Sequence, residues 1–418
     1  MVTDTKDSKM SRRATSRPIS ARELWRDVHL YLGLFVGALL VILGLTGSIL
    51  VFWIEIDEWL NPELLTVTVP RQENPTQSTV AYQPVDEIVR AAKQAAAPDS
   101  KITTVYGARN STAVYAIYAS QTSGDWQRIY VDPYRAQVTG VRSYDADEWV
   151  PNYLMDAIFK LHFSLLFGVN GETLVAICAL LLLVSLISGL IVWWPTRGQW
   201  SKALTIKRGA GPVRFNLDLH KTLSIYFFPI LGAVLLSGVS MNLNEAFVWV
   251  TQQFSPATRQ PQYTLISVPA PGAPSIGVEH VLAIATEHYP EGELNGIYLP
   301  GNATGVYVVT QRNVPKLSSY WSERQIAIDQ YSGEILDVRA PDRRHSAGET
   351  FLDWQWPLHS GQAFDWPGRI VIFLCGLACP VIYITGVIRW LQKRRAKTTA
   401  NKRQSSLIIN KQARGTSR

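Results

Sequence analysis

The chain has only three cysteines in 418 residues, Cys178, Cys375 and Cys379, and all fall inside apolar runs. The polar regions between those runs contain none, which excludes a disulfide framework there. Cys375 and Cys379 lie one helical turn apart, and thiols in apolar helices ordinarily act as small hydrophobes. No Gly-x-Gly-x-x-Gly precedes a helix and no P-loop occurs, so no nucleotide-binding unit of either kind is expected. Acids are nearly missing from three segments. Residues 1–28, 195–218 and 389–418 hold 22 of the 40 Lys+Arg but only 5 of the 33 acids, Asp4, Asp7, Glu23, Asp27 and Asp218. These segments therefore carry +17, and the remainder carries −10.

Long apolar runs are present. Four of them, near 30–54, 173–194, 222–243 and 368–390, each match the ~20 residues that cross a hydrocarbon core. The first is too long for a cleaved signal and has no small-residue cleavage site after it. The basic segments flank these runs, so their expected partner is the lipid bilayer and not nucleic acid. By the bias of Lys and Arg toward the cytoplasm, both termini and the central loop are cytoplasmic and the two long connections lie outside. The basic tail is expected to be disordered near anionic headgroups.

The parts then recur: helix, outer region, helix, and the same again. Each outer region reads as one helix (84–97; 277–289) followed by four strands (near 102–108, 112–119, 127–132 and 136–142; near 295–299, 304–310, 324–328 and 334–338). Both end in a hairpin built on Asp-x-Tyr, IYVDPYRAQVTGV and IAIDQYSGEILDV. This arrangement resembles the PepSY domain, a small α+β module, and its flanking helices resemble the PepSY-associated transmembrane family of bacterial inner-membrane proteins. One departure is Arg135-Ala136 in the first hairpin where Ser332-Gly333 stands in the second. The expected fold is an α-helical integral membrane protein with four transmembrane helices and two small α+β PepSY-like periplasmic domains, arranged as a duplicated parallel repeat. In segments, 1–28 is the basic N-terminus, 29–54 the first span, 55–155 the first PepSY-like domain, 156–172 an interfacial amphipathic segment and 173–194 the second span. A cytoplasmic loop at 195–218 follows, then the third span at 219–243, the second PepSY-like domain at 244–355, an interfacial segment at 356–367, the fourth span at 368–392 and the tail at 393–418.

The histidines follow the same duplication. His280, His288 and His345 lie in outer polar sequence and read as surface residues. His29, His162, His220 and His359 each sit at the edge of an apolar segment. Each span also carries a Ser/Thr-Gly pair: Thr46-Gly47, Ser188-Gly189, Ser237-Gly238 and Thr385-Gly386. His29 to Gly47 and His220 to Gly238 are both 18 residues; His162 to Gly189 and His359 to Gly386 are both 27. His162 to Gly171 and His359 to Gly368 are both 9. Eighteen residues make about five helical turns, so Gly47 and Gly238 share a face with His29 and His220 about 27 Å further along. Turns at GVNG (168–171) and FDWPG (364–368) are expected between the other two histidines and their spans.

Parallel halves related by an axis along the membrane normal pair His29 with His220 on the inner side and His162 with His359 on the outer. A flat metal macrocycle on that axis takes one nitrogen from each half. Imidazole is the usual axial ligand of b-type haem. No Cys-x-x-Cys-His occurs, so covalent attachment is not expected, and no carboxylates accompany the histidines as at a zinc site. One His–Gly pair reads equally well as an interfacial histidine, a proton relay or a packing contact; four with duplicated spacings point to two haems b per chain. Arg22, Arg26, Lys221 and Arg389 near the inner site, and Lys160 and Arg369 near the outer, are placed either to pair with propionates or to snorkel. Trp149, Tyr153, Trp354, Trp356 and Trp366 surround the outer site as a substrate platform or an interfacial belt.

The resemblance implies the rest. Members of that family include reductases of ferric siderophores, so the chain is expected to pass electrons from a cytoplasmic reductase, reduced flavin or quinol to a periplasmic ferric siderophore. Two other readings stay open: a PepSY module that binds or restrains a peptidase with its helices as anchors, and a haem-bearing subunit of a larger oxidoreductase.

Overall fold

The computed structural model describes residues 20–71, 81–144, 149–257, 264–269, 272, 274–314, 323–340 and 346–415. The helices are α1 (Ala21–Phe35), α2 (Gly37–Leu50), α3 (Trp53–Leu60), α4 (Pro62–Leu65), α5 (Val85–Ala95), α6 (Leu154–Ser164), α7 (Gly168–Trp193), α8 (Trp200–Leu204), α9 (Pro212–Asn242), α10 (Asn244–Gln252), α11 (Val278–His288), α12 (Ala347–Asp353), α13 (Gln355–Ser360) and α14 (Asp365–Gly415). Strands β1–β4 (Lys101–Tyr106, Tyr115–Ser120, Trp126–Asp132, Gln137–Ser143) and β5–β8 (Glu293–Tyr298, Val306–Arg312, Arg324–Asp329, Ile335–Arg339) follow α5 and α11.

Three helices, α7, α9 and α14, are long and apolar enough to cross a bilayer, and α1 with α2 makes a fourth span bent by 56°. The sequence reads that span as one straight helix. The bend falls at Val36, between Gly33 and Gly37, where a helix loses side-chain support. The Tyr383 ring lies against Gly37, 2.9 Å from where a β-carbon there would stand. The basic tail also differs from expectation: α14 continues as helix to Gly415. Residues 387–414 contain no Gly or Pro and many Lys, Arg, Gln and Ala, which favour helix.

The spans pack through small residues, as helices do where lipid removes the hydrophobic drive. Gly44 on α2 faces α14 so closely that a β-carbon would sit 2.7 Å from Cys379 Cβ. Gly376 in turn lies on the Gly44 carbonyl and the Ser48 hydroxyl, and Ser48 donates to the Phe373 carbonyl at 2.9 Å. Cys375 and Cys379 are free thiols buried in this seam, as packing groups.

The sheet domain departs from two separate domains. Its eight strands form one antiparallel sheet in the order β4-β3-β2-β1-β5-β6-β7-β8. β1 joins β5 through Thr104–Tyr298, Val105–Ile297 and Tyr106–Gly296. Two separate four-stranded sheets would each expose β1 or β5 as an unpaired edge, and the pairing removes both edges. One face carries Val105, Ile117, Ile129, Ile297, Val309 and Ile326 beneath α5 and α11. Each fully buried branched side chain contributes about 1.5–3 kcal/mol. The two helices start against each other and cap one another: Glu279 accepts from Val85 N at 2.6 Å, and Asp86 from Glu279 N at 3.3 Å.

The Asp-x-Tyr motif is a turn device. Asp132 accepts from the backbone N–H of Tyr134 (2.7 Å) and Arg135 (3.3 Å); Asp329 accepts from Tyr331 (2.8 Å) and Ser332 (2.9 Å). Each Tyr hydroxyl then ties to a neighbouring loop, Tyr134 to Ser111 O and Tyr331 to Ala303 O. Ala136 takes the positive φ (50°) that Gly333 takes at 73°. Burial raises the Asp329 carboxyl, but the N–H groups of Ser332, Tyr331 and Val268 outweigh it and hold the carboxyl below its ordinary 3.8. The stabilisation is complete above that ordinary value and is lost as pH falls through the lowered one. Asp329→Asn keeps an acceptor without a titration, so its unfolding temperature should fall less as pH drops below 4 than that of the unaltered chain.

Candidate functional site

The four span-edge histidines come together in two facing pairs. His29 and His220 have ring centroids 6.4 Å apart with planes at 68°; His162 and His359 are 6.1 Å apart at 69°. An imidazole nitrogen sits about 2 Å from a metal it binds and about 1 Å from its own ring centre. Two rings sharing one metal therefore have centroids about 6 Å apart. His29 on α1 and His220 on α9 lie at the end of the bundle where α1 begins and α14 runs on past Gly386. His162 on α6 and His359 on α13 lie at the end that carries the sheet domain.

Each ring is held by the neighbouring helix of its own half, through three groups at fixed offsets. The glycine of the Ser/Thr-Gly pair gives room. A β-carbon on Gly189 would stand 2.8 Å from His29 Cε1; on Gly47, 3.0 Å from His162 Cε1; on Gly386, 3.2 Å from His220 Cε1; on Gly238, 3.6 Å from His359 Cε1. The backbone carbonyl four residues before that glycine accepts from Nδ1: Ser185 O for His29 (2.9 Å), Ile382 O for His220 (2.9 Å) and Val234 O for His359 (3.1 Å), with Leu43 O in the same role for His162. The hydroxyl one residue before the glycine is the third group: Thr46 to His162 at 2.9 Å, Ser237 to His359 at 2.9 Å, Thr385 to His220 at 3.1 Å, Ser188 to His29 at 3.4 Å.

These contacts fix the tautomer. A carbonyl only accepts, so Nδ1 carries the hydrogen. The hydroxyls can donate to carbonyls of their own helices, Thr46 to Ile42, Ser237 to Ala233, Thr385 to Val381 and Ser188 to Ser185. Their oxygens are then acceptors too. Nε2 of each ring keeps its lone pair and bonds no described residue. A histidine whose Nδ1–H is tied to a carbonyl while Nε2 stays bare has the arrangement of a metal ligand. Among the described residues no three His, Cys, Asp or Glu side chains gather as a metal site. Each pair thus offers two nitrogens from neighbouring rings and, among the described residues, no further ligands, a donor set that suits a metal whose other ligands come from a planar macrocycle. The residues fit a haem in this respect.

The turns before α7 and α14 close at the first residues of GVNG and FDWPG. Leu165, Leu166 and Gly168 take positive φ (53°, 60° and 55°) before α7, and Gly361 and Asp365 (80° and 49°) before α14, while the rest of each motif is already helix. Gly171 lies directly on the Ser164 carbonyl and Gly368 on the Gly361 carbonyl, two residues past His162 and His359. The nine-residue spacing is therefore a close backbone approach that sets each ring beside its span. The sheet reaches the same helix: Asp156 on α6 pairs with Arg128 on β3 at 2.6 Å, both buried.

Several expected neighbours have other partners. Arg22 donates to Val192 O at 2.9 Å, Lys221 pairs with buried Asp218 at 3.0 Å, and Lys160 stacks over Tyr144. Arg369 pairs with Glu55 at 2.7 Å, donates to Val51 O and lies between Phe52 and Trp366. Arg26 and Arg389 gather with Lys393 near the His29 end. Trp149, Trp356 and Trp366 are exposed. His280 and His288 are exposed on α11, and His345 lies outside the described residues.

The description of one family, the PepSY-associated TM region, matches residues 26–393, nearly the whole described chain. The chain belongs to that family. No curated protein matches it. As a PepSY-associated transmembrane protein it combines apolar membrane helices with an antiparallel sheet domain, and all four paired histidines fall within the matched region. The pattern in the sequence singled out the histidines and the Ser/Thr-Gly pairs. It missed the carbonyls of Leu43, Ser185, Val234 and Ile382, which bear no side-chain signal. Gly47→Val should push the His162 ring off its seat without touching His29. The check is the nuclear magnetic resonance signal of the His162 imidazole, expected to move while that of His29 and the far-ultraviolet circular dichroism stay unchanged.

Proposed function

We propose that this protein carries electrons across the bacterial inner membrane on two b-type haems, one held by His29 and His220 and the other by His162 and His359. The observation that carries the reading is the fourfold seat: two imidazole pairs at metal-sharing distance, each Nδ1 tied to a helix and each Nε2 bare. A haem held between two imidazoles supplies one-electron chemistry and leaves no open site for oxygen. The chain's part is to hold the rings in line, keep the bundle dry and set the spacing. α9 runs between the sites, from His220 to Gly238 beside His359, 18 residues or about 27 Å.

The Lys and Arg distribution supports placing the His29/His220 site toward the cytoplasm and the sheet domain in the periplasm. The matching halves read as a duplication. In family terms the donor is a cytoplasmic reductase, reduced flavin or quinol. The acceptor is a periplasmic ferric siderophore, from which the more weakly held ferrous ion is released. The test is the spectrum of the detergent-purified protein, oxidised and dithionite-reduced, with a pyridine haemochrome count. Low-spin b-type bands at about two haems per chain support the reading, and reoxidation of the reduced protein by a ferric siderophore supports the acceptor. A folded, colourless protein from haem-replete cells overturns it.

A further inference from the structure

We propose that the acceptor nearest each Nδ1 sets the two sites at different reduction potentials, with Thr46 and Ser237 as positioning residues that keep the sheet-side site the higher. The inference rests on the proposed function. The same groups surround all four rings, but their order of approach differs between the sites. At His29 the carbonyl of Ser185 leads at 2.9 Å and the Ser188 hydroxyl follows at 3.4 Å. At His220 the carbonyl of Ile382 leads at 2.9 Å and the Thr385 hydroxyl follows at 3.1 Å. At His359 the hydroxyl of Ser237 leads at 2.9 Å and the Val234 carbonyl follows at 3.1 Å. At His162 the Thr46 hydroxyl stands at 2.9 Å, and the Leu43 carbonyl also accepts from the ring.

The split follows the site and not the residue type, since each site has one serine and one threonine. A peptide carbonyl inside a helix, aligned with the helix dipole, is the stronger acceptor. It draws the Nδ1 proton outward and makes Nε2 the stronger donor to a metal. A stronger axial donor favours the oxidised, more positive metal and so lowers the potential. At the sheet side both hydroxyls come to 2.9 Å, against 3.4 and 3.1 Å at the other site, take a larger share of the Nδ1 hydrogen bond and pull less. An electron entering at His29/His220 is therefore drawn toward His162/His359, and the preferred direction is built into the anchors of the rings.

The experiment is an optical redox titration of the full chain in lipid nanodiscs. His29→Ala and His162→Ala each remove one site, which assigns the two steps. The expected result is a higher midpoint for the sheet-side step. Thr46→Val and Ser237→Ala should each lower that midpoint, because the carbonyl is then the sole acceptor, and shift the low-spin g-values of that site alone. Thr46→Ser should restore both, and Ser188→Ala should leave the other step in place. Two haems with the terminal-side step higher overturn this inference and leave the proposed function standing. So does a Ser188→Ala shift as large as that of Thr46→Val. A folded chain with no haem overturns both. The order of the two steps is read in the unaltered chain, so a hydroxyl variant that fails to fold does not shield the proposal.

Discussion

Under the proposed function His162→Ala should bind one haem per chain against two for the unaltered protein, and the spectrum that remains should belong to the His29/His220 site. The expectation follows from how little the two sites share. Each ring is seated by a different helix segment, and the sites stand about 27 Å apart along α9. Alanine at 162 leaves the Gly47 seat and the Thr46 hydroxyl in place and removes only the nitrogen. Imidazole added at millimolar concentration should then enter the gap and restore part of the second equivalent. His29→Ala should give the mirror result, with the sheet-side haem retained. Pyridine haemochrome counts on the two variants decide it. Loss of both haems from a folded His162→Ala protein would show that the sites assemble as one unit. Retention of both would show that His162 is no ligand.

The second large effect lies outside the membrane. Arg142 is 1% exposed and reaches both oxygens of Asp57, at 2.6 and 2.9 Å. It also reaches Asn152 at 3.0 Å, while Asn61 donates to Asp57 at 2.8 Å. This cluster ties β4 to α3, the helix that follows the first span. Removing one partner of a buried pair leaves the other charge uncompensated, at a cost of about 3–5 kcal/mol. Arg142→Met should lower the unfolding temperature of the sheet domain by roughly 6–20 °C, at about 2–4 °C per kcal/mol for a unit of this size. Adding Asp57→Leu to it should recover much of the loss, because the stranded carboxylate goes too. Thermal unfolding by circular dichroism measures both. If Arg142→Met melts like the unaltered chain, the pair is not what holds the sheet to the bundle.

Local patterns made much of this legible. Apolar runs announced the spans, alternation and the Asp-x-Tyr turns announced the strands, and equal His–Gly offsets paired His29 with His220 and His162 with His359. What stayed hidden depends on partners far along the chain. Nothing in the residues of β1 says that Val105 lies beside Ile297, because an alternating strand satisfies any neighbour of like pattern. The Val36 bend depends on Tyr383, whose ring occupies the space beside Gly37. The carbonyls that hold the rings belong to Leu43, Ser185, Val234 and Ile382, residues whose own side chains take no part.

The joining of β1 to β5 also dictates an order of events during synthesis. β1 ends at Tyr106 and its partner β5 is complete at Tyr298. At about 5–20 residues per second the ribosome delivers the second strand roughly 10–40 s after the first. Throughout that interval the first half presents an open strand edge, the kind of surface that other chains pair with. The His162/His359 pair cannot form in that interval, since His359 is still to come. An arrest between the two halves therefore leaves an intermediate with an open strand edge and without the His162/His359 pair for the cell's folding and proteolytic machinery to meet.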